Sequence, residues 1–334
     1  MKALKTPSGK WRVVCYSHKD PDGKEHYKTF TKETKAEALR AGAEFMRNKT
    51  LSVCNMTLNE ATERFLEAKK EVLSPSTYYQ YCWMSEKLDF LGPMKVDRIT
   101  SEDLQRFVSA YSNGRKAKTC RNMYNLILNV LKTYTDKSFK VNFKQSEPLR
   151  YNVPTKSDIL NLMDAASKDL KVAIALGALY GLRRGEICSL TVDDLDFQKK
   201  TIHIHSDMVR TAGGWVVKDI PKTSTSDRII PVDDELLSML PEEGRICLYT
   251  PSTLSCRFIR LRDSLGLKCR FHDLRHYSAS IRAAMGFPTS YNVAFHGWRS
   301  DGMLRKVYDN MNEDIRKEYD AQSIALAESF LKKS

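Results

Sequence analysis

The sequence lacks the features that mark membrane, secreted and zinc-binding proteins. No run of about eighteen apolar residues is present, so no membrane-spanning helix is expected. The opening residues, MKALKTPSGKW, contain no apolar core of a signal peptide. The eight cysteines include no CxxC pair, and most stand within apolar patterns. We therefore expect a reduced, intracellular protein without zinc knuckles.

Acidic residues are also scarce relative to basic ones. The chain carries 54 Lys and Arg against 41 Asp and Glu, a net charge of +13, and 11 of the 13 excess charges fall within residues 1–150. A basic front joined to a nearly neutral remainder is typical of a nucleic-acid-binding region attached to another domain. The alternative is a solvated basic surface that binds nothing anionic.

The first 50 residues predict a small sheet with a helix. Residues 10–17 and 25–30 read as strands around a polar turn, and Thr34 with Glu37 forms a capping box that opens a helix over residues 35–49. The exposed face of such a sheet could contact a DNA groove, or the unit could be purely structural. The candidate DNA contacts here are Lys10, Arg12 and Lys28.

Residues 55–147 predict an all-helical domain. A helix is expected from Pro75 to the Gly92-Pro93 stop, and a later one begins basic and becomes apolar at helical spacing. The basic start is well placed for DNA phosphates, although a solvated helix end is an equal alternative. Its cations are Lys116, Lys118 and Arg121.

Residues 151–334 predict a mixed α+β domain. LKVAIALGALY is almost wholly apolar and predicts a buried helix, which Gly181 ends. Short strands follow at TIHIH, WVVKDI and DRIIPV, with Lys222 in a hairpin loop between the last two. The remainder predicts helices, ending in an amphipathic one over about 314–332.

The stretch FHDLRHYSAS places His272, Arg275 and His276 on one face of a helix. Two histidines four residues apart can bind zinc, but a guanidinium in the same cluster disfavours a metal ion. An anion is the better ligand for this face, so we expect neither a metal nor a cofactor.

Several segments of this domain place ionisable residues directly after apolar elements. Two guanidiniums can hold the non-bridging oxygens of a phosphodiester, a tyrosine can attack the phosphorus, and a lysine can protonate the leaving oxygen. Each residue alone has an ordinary structural alternative, such as a surface ion pair or a core tyrosine. The candidates are Arg183, Glu186, Lys222, His272, Arg275, His296, Trp298 and Tyr308.

In their order and approximate spacing, GLRRGE, Lys222, HDLRH, HGW and Tyr308 resemble the tyrosine recombinases, or phage-type integrases. The resemblance covers the whole chain. It implies an arm-binding ββ(β)α domain over 1–50, an all-α SAM-like core-binding domain over 55–147 and a mixed α+β catalytic domain over 151–334, mainly α overall with small sheets.

The resemblance also implies the roles of the residues. Arg183 and Arg275 would hold the scissile phosphate, and Glu186 would support the site. His272 would assist proton transfer, Lys222 would act as general acid, and Tyr308 would form a 3′-phosphotyrosine. The family usually has LGH, whereas this chain has FHGW; aligning the glycines puts Trp298, rather than His296, at the His/Trp position.

The implied function is site-specific integration and excision of a mobile element or prophage. It would proceed in a bacterial or phage-infected cytoplasm, through a homo-tetramer and a Holliday junction, without ATP or metal. The implied partners are core and arm DNA sites, DNA-bending and excisionase-type accessory proteins, and a neighbouring protomer for the C-terminal helix. Two alternatives stay open, a type IB topoisomerase and a DNA-binding protein without catalysis.

Overall fold

The structure is a computed structural model that describes residues 2–19, 25–54, 56–145, 151–219, 225–302, 305, 320–321 and 323–325. The chain divides into two units, residues 1–147 and 148–334. Within the described residues, no helix combines the length and the apolar character needed to cross a membrane.

An antiparallel sheet with one covering helix begins the first unit. Its strands are β1 (Ala3–Lys5), β2 (Trp11–Lys19) and β3 (Glu25–Lys32), in the order β1-β2-β3, and α1 spans Lys35–Cys54. The backbone N–H of Glu37 donates to the Thr34 hydroxyl, as the capping box predicts. Val13, Cys15 and Ala38 form the buried contact between sheet and helix. The sequence locates β2 and β3 but not the short β1.

Four helices follow: α2 (Leu58–Lys69), α3 (Pro75–Ser85), α4 (Ser101–Tyr111) and α5 (Ala117–Tyr134). Their apolar faces share one core that includes Leu58, Leu104 and Ile127. The predicted extension of α3 to Gly92 is wrong. The helix ends at Ser85, and a separate 3₁₀ turn at Asp89–Leu91 precedes Gly92.

The second unit surrounds α7 (Lys168–Ala178), which is buried along nearly its whole length. Helix α11 (Phe271–Ala284) packs against α7 at Gly177, where a Cβ would lie 3.4 Å from the Leu274 side chain, within ordinary contact. The other helices are α6 (Lys156–Ala165), α8 (Arg184–Ser189), α9 (Asp234–Met239), α10 (Pro251–Ser264), α11 (Phe271–Ala284) and α12 (Thr289–His296).

Two small sheets complete this unit. One has the order β4-β5-β8, with β4 at Leu195–Asp196, β5 at Thr201–Ile204 and β8 at Arg228–Pro231; the other pairs β6 (Ser206–Thr211) with β7 (Gly214–Asp219). The segment between β7 and β8 therefore connects two sheets, and the predicted hairpin is wrong. The β6–β7 pair is the hairpin, and β8 pairs with β5 instead.

Candidate active site

Arg183 and Glu186 are held together by the local backbone at the start of α8. Arg183 is the N-cap residue, and its backbone N–H donates to Glu186 Oε2 at 2.8 Å, while its guanidinium reaches Glu186 Oε1 at 2.5 Å. Gly181 makes the preceding turn with φ +68°, and a Cβ there would lie 2.5 Å from the His296 ring. The sequence GLRRGE thus fixes the root of Arg183.

Glu186 is the carboxylate around which this site is built. It is 1% exposed, and Arg228 Nη2 lies 3.0 Å and Arg275 Nη1 3.9 Å from its Oε2. Burial alone would raise the pKa of Glu186, but the guanidiniums of Arg228, Arg183 and Arg275 override it and lower the pKa to about 2. Glu186 is therefore ionised throughout the physiological range.

Helix α11 presents Arg275 from the predicted HDLRH stretch. Arg275 is 1% exposed and donates to the carbonyls of Gly181 and His296, while its Nε has no hydrogen-bond partner among the residues that the structure describes. Burial, followed by the neighbouring Arg183, lowers the pKa of this guanidinium. A buried cation with an unpaired donor favours binding an anion.

The two histidines of α11 differ in exposure. His272 has an exposed surface, but much of its ring is surrounded by protein. This desolvation, followed by the charges of His276 and Arg275, lowers the pKa of His272, so its imidazole is neutral at pH 7. His276 is 1% exposed and packs edge-on between His272 and Tyr151, at ring-centre distances of 4.9 and 4.4 Å. Burial lowers the pKa of His276 to about 4. The neutral His272 can accept a proton at the mouth of the site.

Trp298 and His296 occupy different environments. The Trp298 ring centre lies 5.3 Å from the Arg275 guanidinium and stacks on His296 at 4.8 Å. Both His296 nitrogens are occupied inside the protein, Nδ1 by the Asn292 carbonyl at 2.9 Å and Nε2 by the Ser278 hydroxyl at 3.2 Å. Trp298 is therefore the residue packed against Arg275, and His296 lies behind Trp298 with both ring nitrogens bonded within the protein.

Arg228 belongs to the same cluster, although no function was predicted for it from the sequence. It lies on β8 with 6% of its side chain exposed, and its guanidinium donates hydrogen bonds to both carboxylate oxygens of Glu186. The sequence did contain an indication of this role. Arg228 and Ile230 lie on the same, buried face of β8, so the strand places an arginine at a core-facing position. A charged residue at a core-facing position calls for a buried partner.

Two predicted site residues, Lys222 and Tyr308, lie outside the described residues, as do nearly all positions of the C-terminal tail. Thr225 and Ser226, three and four positions after Lys222, do reach the site. A Cβ on Gly297 would meet the Thr225 carbonyl at 2.9 Å and Arg228 Nη1 at 3.1 Å. These two residues therefore pack directly against the turn between His296 and Trp298.

The candidate DNA-binding cations lie in the first unit. Lys116 is the N-cap residue of α5, and Lys118 and Arg121 are exposed in its first turns. In the sheet, Arg12 lies on the face opposite α1, because its neighbour Val13 packs on the helix side. Lys28 is opposite Cys15, on the helix side, with its ammonium 5.3 Å from the Phe45 ring centre.

Lys10 is the remaining cation of this set. Its ammonium lies 2.6 Å from Glu33, and that contact raises the pKa of Lys10. Of Lys10, Arg12 and Lys28, Arg12 is the one that lies on the sheet face opposite α1 and forms no ion pair among the described residues.

Two family models match the chain. One describes the phage integrase family and matches residues 152–314, which include the Glu186 cluster. The other describes the N-terminal SAM-like domain of phage integrases and matches residues 57–112. Together they match roughly two thirds of the chain.

Individual proteins show the same likeness. A XerC-like tyrosine recombinase of Caldanaerobacter subterraneus is 26% identical over 267 residues, which are 70% of this chain and 67% of that protein. The integrase of the transposon Tn1549, solved with a circular intermediate DNA, matches 80% of this chain and 99% of its own with a TM-score of 0.64 at 17% identity. A lambda integrase tetramer on a Holliday junction matches 92% and 95%, with a TM-score of 0.58 at 17% identity.

Proposed function

The chain belongs to the phage integrase family of tyrosine recombinases, and from that premise we propose that it integrates and excises a mobile DNA element or prophage. The observation that carries this proposal is the cluster in which Arg183 and Arg275 flank the buried Glu186, with Trp298 packed against Arg275. Such a cluster suits the binding of a phosphate whose charge increases during strand transfer.

In the proposed reaction, Tyr308 attacks the scissile phosphorus while Arg183 and Arg275 hold the non-bridging oxygens. The bond from phosphorus to the 5′ oxygen breaks, and Lys222 gives that oxygen a proton. A 3′-phosphotyrosine and a 5′-hydroxyl result, and the hydroxyl of a second strand reverses the step. The lowered pKa of His272 keeps its imidazole neutral but makes it a weak base, so it assists removal of the phenolic proton while Arg183 and Arg275 stabilise the phenolate.

We also propose the division of labour along the chain. Residues 1–50 would bind arm-type DNA through the uncovered sheet face that carries Arg12, and residues 55–147 would bind the core site, with Lys116, Lys118 and Arg121 on its phosphates. Residues 151–334 would carry out strand transfer. The excess of positive charge in the first 150 residues supports this order.

The solved tetramer of lambda integrase on a Holliday junction supports the same assembly for this chain. We propose a homo-tetramer that joins two duplexes, with DNA-bending and excisionase-type proteins directing the reaction. Strand transfer through phosphotyrosine would need neither ATP nor metal, since the bond energy is stored in the protein–DNA link.

Covalent trapping tests the proposal. Full-length protein is incubated in EDTA with nicked duplexes that carry the end sequences of its element, then separated on a denaturing gel. Wild type and Tyr319→Phe should each give a protein–DNA band, and Tyr308→Phe should give none. A band that persists in Tyr308→Phe but disappears in Tyr319→Phe would move the nucleophile to Tyr319. Relaxation of plasmids without site preference would favour a topoisomerase.

A further inference from the structure

Arg228 is an arginine whose burial has no explanation in the reaction as proposed. Its Nη1 and Nη2 donate to the two oxygens of Glu186 at 3.2 and 3.0 Å, as a two-pronged pair. Its Nε donates to the Phe295 carbonyl at 2.9 Å, and Nη1 also reaches the Ser226 carbonyl at 3.0 Å. Such a pair is costly to desolvate and is retained where it fixes a specific arrangement.

The charges around Glu186 show what this arrangement does. Arg183, Arg228 and Arg275 surround one carboxylate, so two positive charges remain in excess. Without Arg228, Glu186 would neutralise one of the two arginines assigned to the phosphate. Two cations would then face one fixed anion before any DNA arrived.

We propose that Arg228 is a positioning residue for strand transfer, which neutralises Glu186 and so leaves Arg183 and Arg275 free to hold the scissile phosphate. The inference rests on the proposed function. Arg228 itself lies behind the carboxylate and does not touch the DNA. Its effect reaches the phosphate through Glu186 and the two other guanidiniums.

The remaining donors of Arg228 extend this role to two loops. The Phe295 carbonyl lies at the end of α12, three residues before Trp298, and the Ser226 carbonyl belongs to the segment that leads from Lys222 into β8. One guanidinium thus connects the arginine cluster, the Trp298 turn and the Lys222 segment. A lysine could supply the charge but could not make the planar fork with its several donors.

A double-mutant cycle separates this role from simple loss of stability. Arg228→Met, Glu186→Gln and the double variant are compared with wild type in three measurements: thermal midpoint, affinity for the end-sequence duplex and single-turnover cleavage of the nicked duplex. Each cleavage is repeated on a duplex with an uncharged methylphosphonate at the scissile position. Arg228→Lys tests how much the charge alone restores.

Arg282→Met is the matched control. Arg282 is another partly buried arginine of this unit, which donates to the Leu179 carbonyl and the Ser278 hydroxyl at 2.7 Å each and packs over Phe295 at 3.9 Å. Among the described residues, no carboxylate forms an ion pair with Arg282. Its loss reports what removal of a packed arginine does without disturbing the charge on Glu186.

We expect Arg228→Met to lower the cleavage rate by about a hundredfold, the cost of losing one preorganised charge stabiliser, with duplex affinity within about threefold of wild type. Adding Glu186→Gln to Arg228→Met should raise the cleavage rate at least about tenfold. The rate deficit of Arg228→Met should also be smaller on the methylphosphonate duplex, because an uncharged scissile group requires less positive charge. The cleavage rate of Arg228→Lys should lie between those of wild type and Arg228→Met. Adding Glu186→Gln to Arg282→Met should not raise its cleavage rate.

Additive losses in the double variant, with an unchanged deficit on the methylphosphonate, would overturn the inference, as would wild-type cleavage by Arg228→Met. Either result leaves the proposed function intact, because wild type still forms its covalent adduct. A wild type that binds the duplex but never forms an adduct would instead overturn the proposed function and this inference with it.

Discussion

Gly181 offers the sharpest test of how the site is supported, through substitution by alanine. Its φ of +68° is unfavourable for any residue with a Cβ, which costs about 1 kcal/mol. A Cβ would also lie 2.5 Å from two atoms of the His296 ring and 3.0 Å from the Ser278 hydroxyl. Ordinary contact begins at 3.4 Å, so His296 must move by about 0.9 Å.

The matched control is Gly266→Ala in the same unit. Gly266 has a φ of +69°, and a Cβ there would meet nothing within 4 Å. We expect Gly266→Ala to lose about 1 kcal/mol, and Gly181→Ala to lose about 3 kcal/mol, because overpacking a core adds about 1–3 kcal/mol. Chemical denaturation measures both.

Strand cleavage should separate the two variants further. His296 carries the carbonyl that accepts from Arg275, and its ring stacks on Trp298, so its displacement reaches Arg275, which we propose binds the phosphate. We expect Gly181→Ala to lower cleavage at least about tenfold at a temperature where it is folded, whereas Gly266→Ala should cleave at the wild-type rate. Equal stability losses and equal cleavage in the two variants would refute this reasoning.

Three further predictions address neighbouring groups. His276 has a pKa of about 4 in the folded protein and about 6.5 in the unfolded chain, so the unfolded chain binds more protons between these pH values. The free energy of unfolding therefore falls as the pH is lowered from about 6.5 to 4. Denaturation curves of His276→Phe should lack up to about 3 kcal/mol of that loss. Trp298→His should cleave within about tenfold of wild type, while Trp298→Ala should lose more than tenfold; equal rates would contradict the assignment beside Arg275. Arg12→Ala should weaken arm-DNA binding and reduce the salt slope by about one, and an unchanged slope would place the contact elsewhere.

Local signals predicted local structure well. The capping box at Thr34 opens α1 as expected, and the HDLRH stretch is helical. The predicted end of α3 was wrong because the chain leaves the helix after Ser85 and turns through Asp89, whose φ is +52°, to bury Leu88 and Leu91. A Gly-Pro stop sets only the latest position at which a helix can end. Each of these features depends on residues within a few positions of one another.

The features that sequence reasoning missed depend on distant partners. Strand β8 pairs with β5 rather than β7, which no local pattern indicates. Arg228 contacts Glu186 across 42 positions, so its role is visible only after the sheet brings them together. The preference for Trp298 over His296 came from aligning a glycine and stays a prediction. In the structure that glycine, Gly297, ends α12 with a left-handed φ of +58°.

The most direct test of the account is to identify the bond in the trapped protein–DNA complex. The denatured adduct is digested with protease and nuclease, and the remaining nucleotide-bearing peptide is sequenced by mass spectrometry. The account predicts one peptide, with the DNA 3′-phosphate joined to the Tyr308 oxygen and a free 5′-hydroxyl on the released strand. Attachment through a 5′-phosphate, or to any other residue, would contradict it.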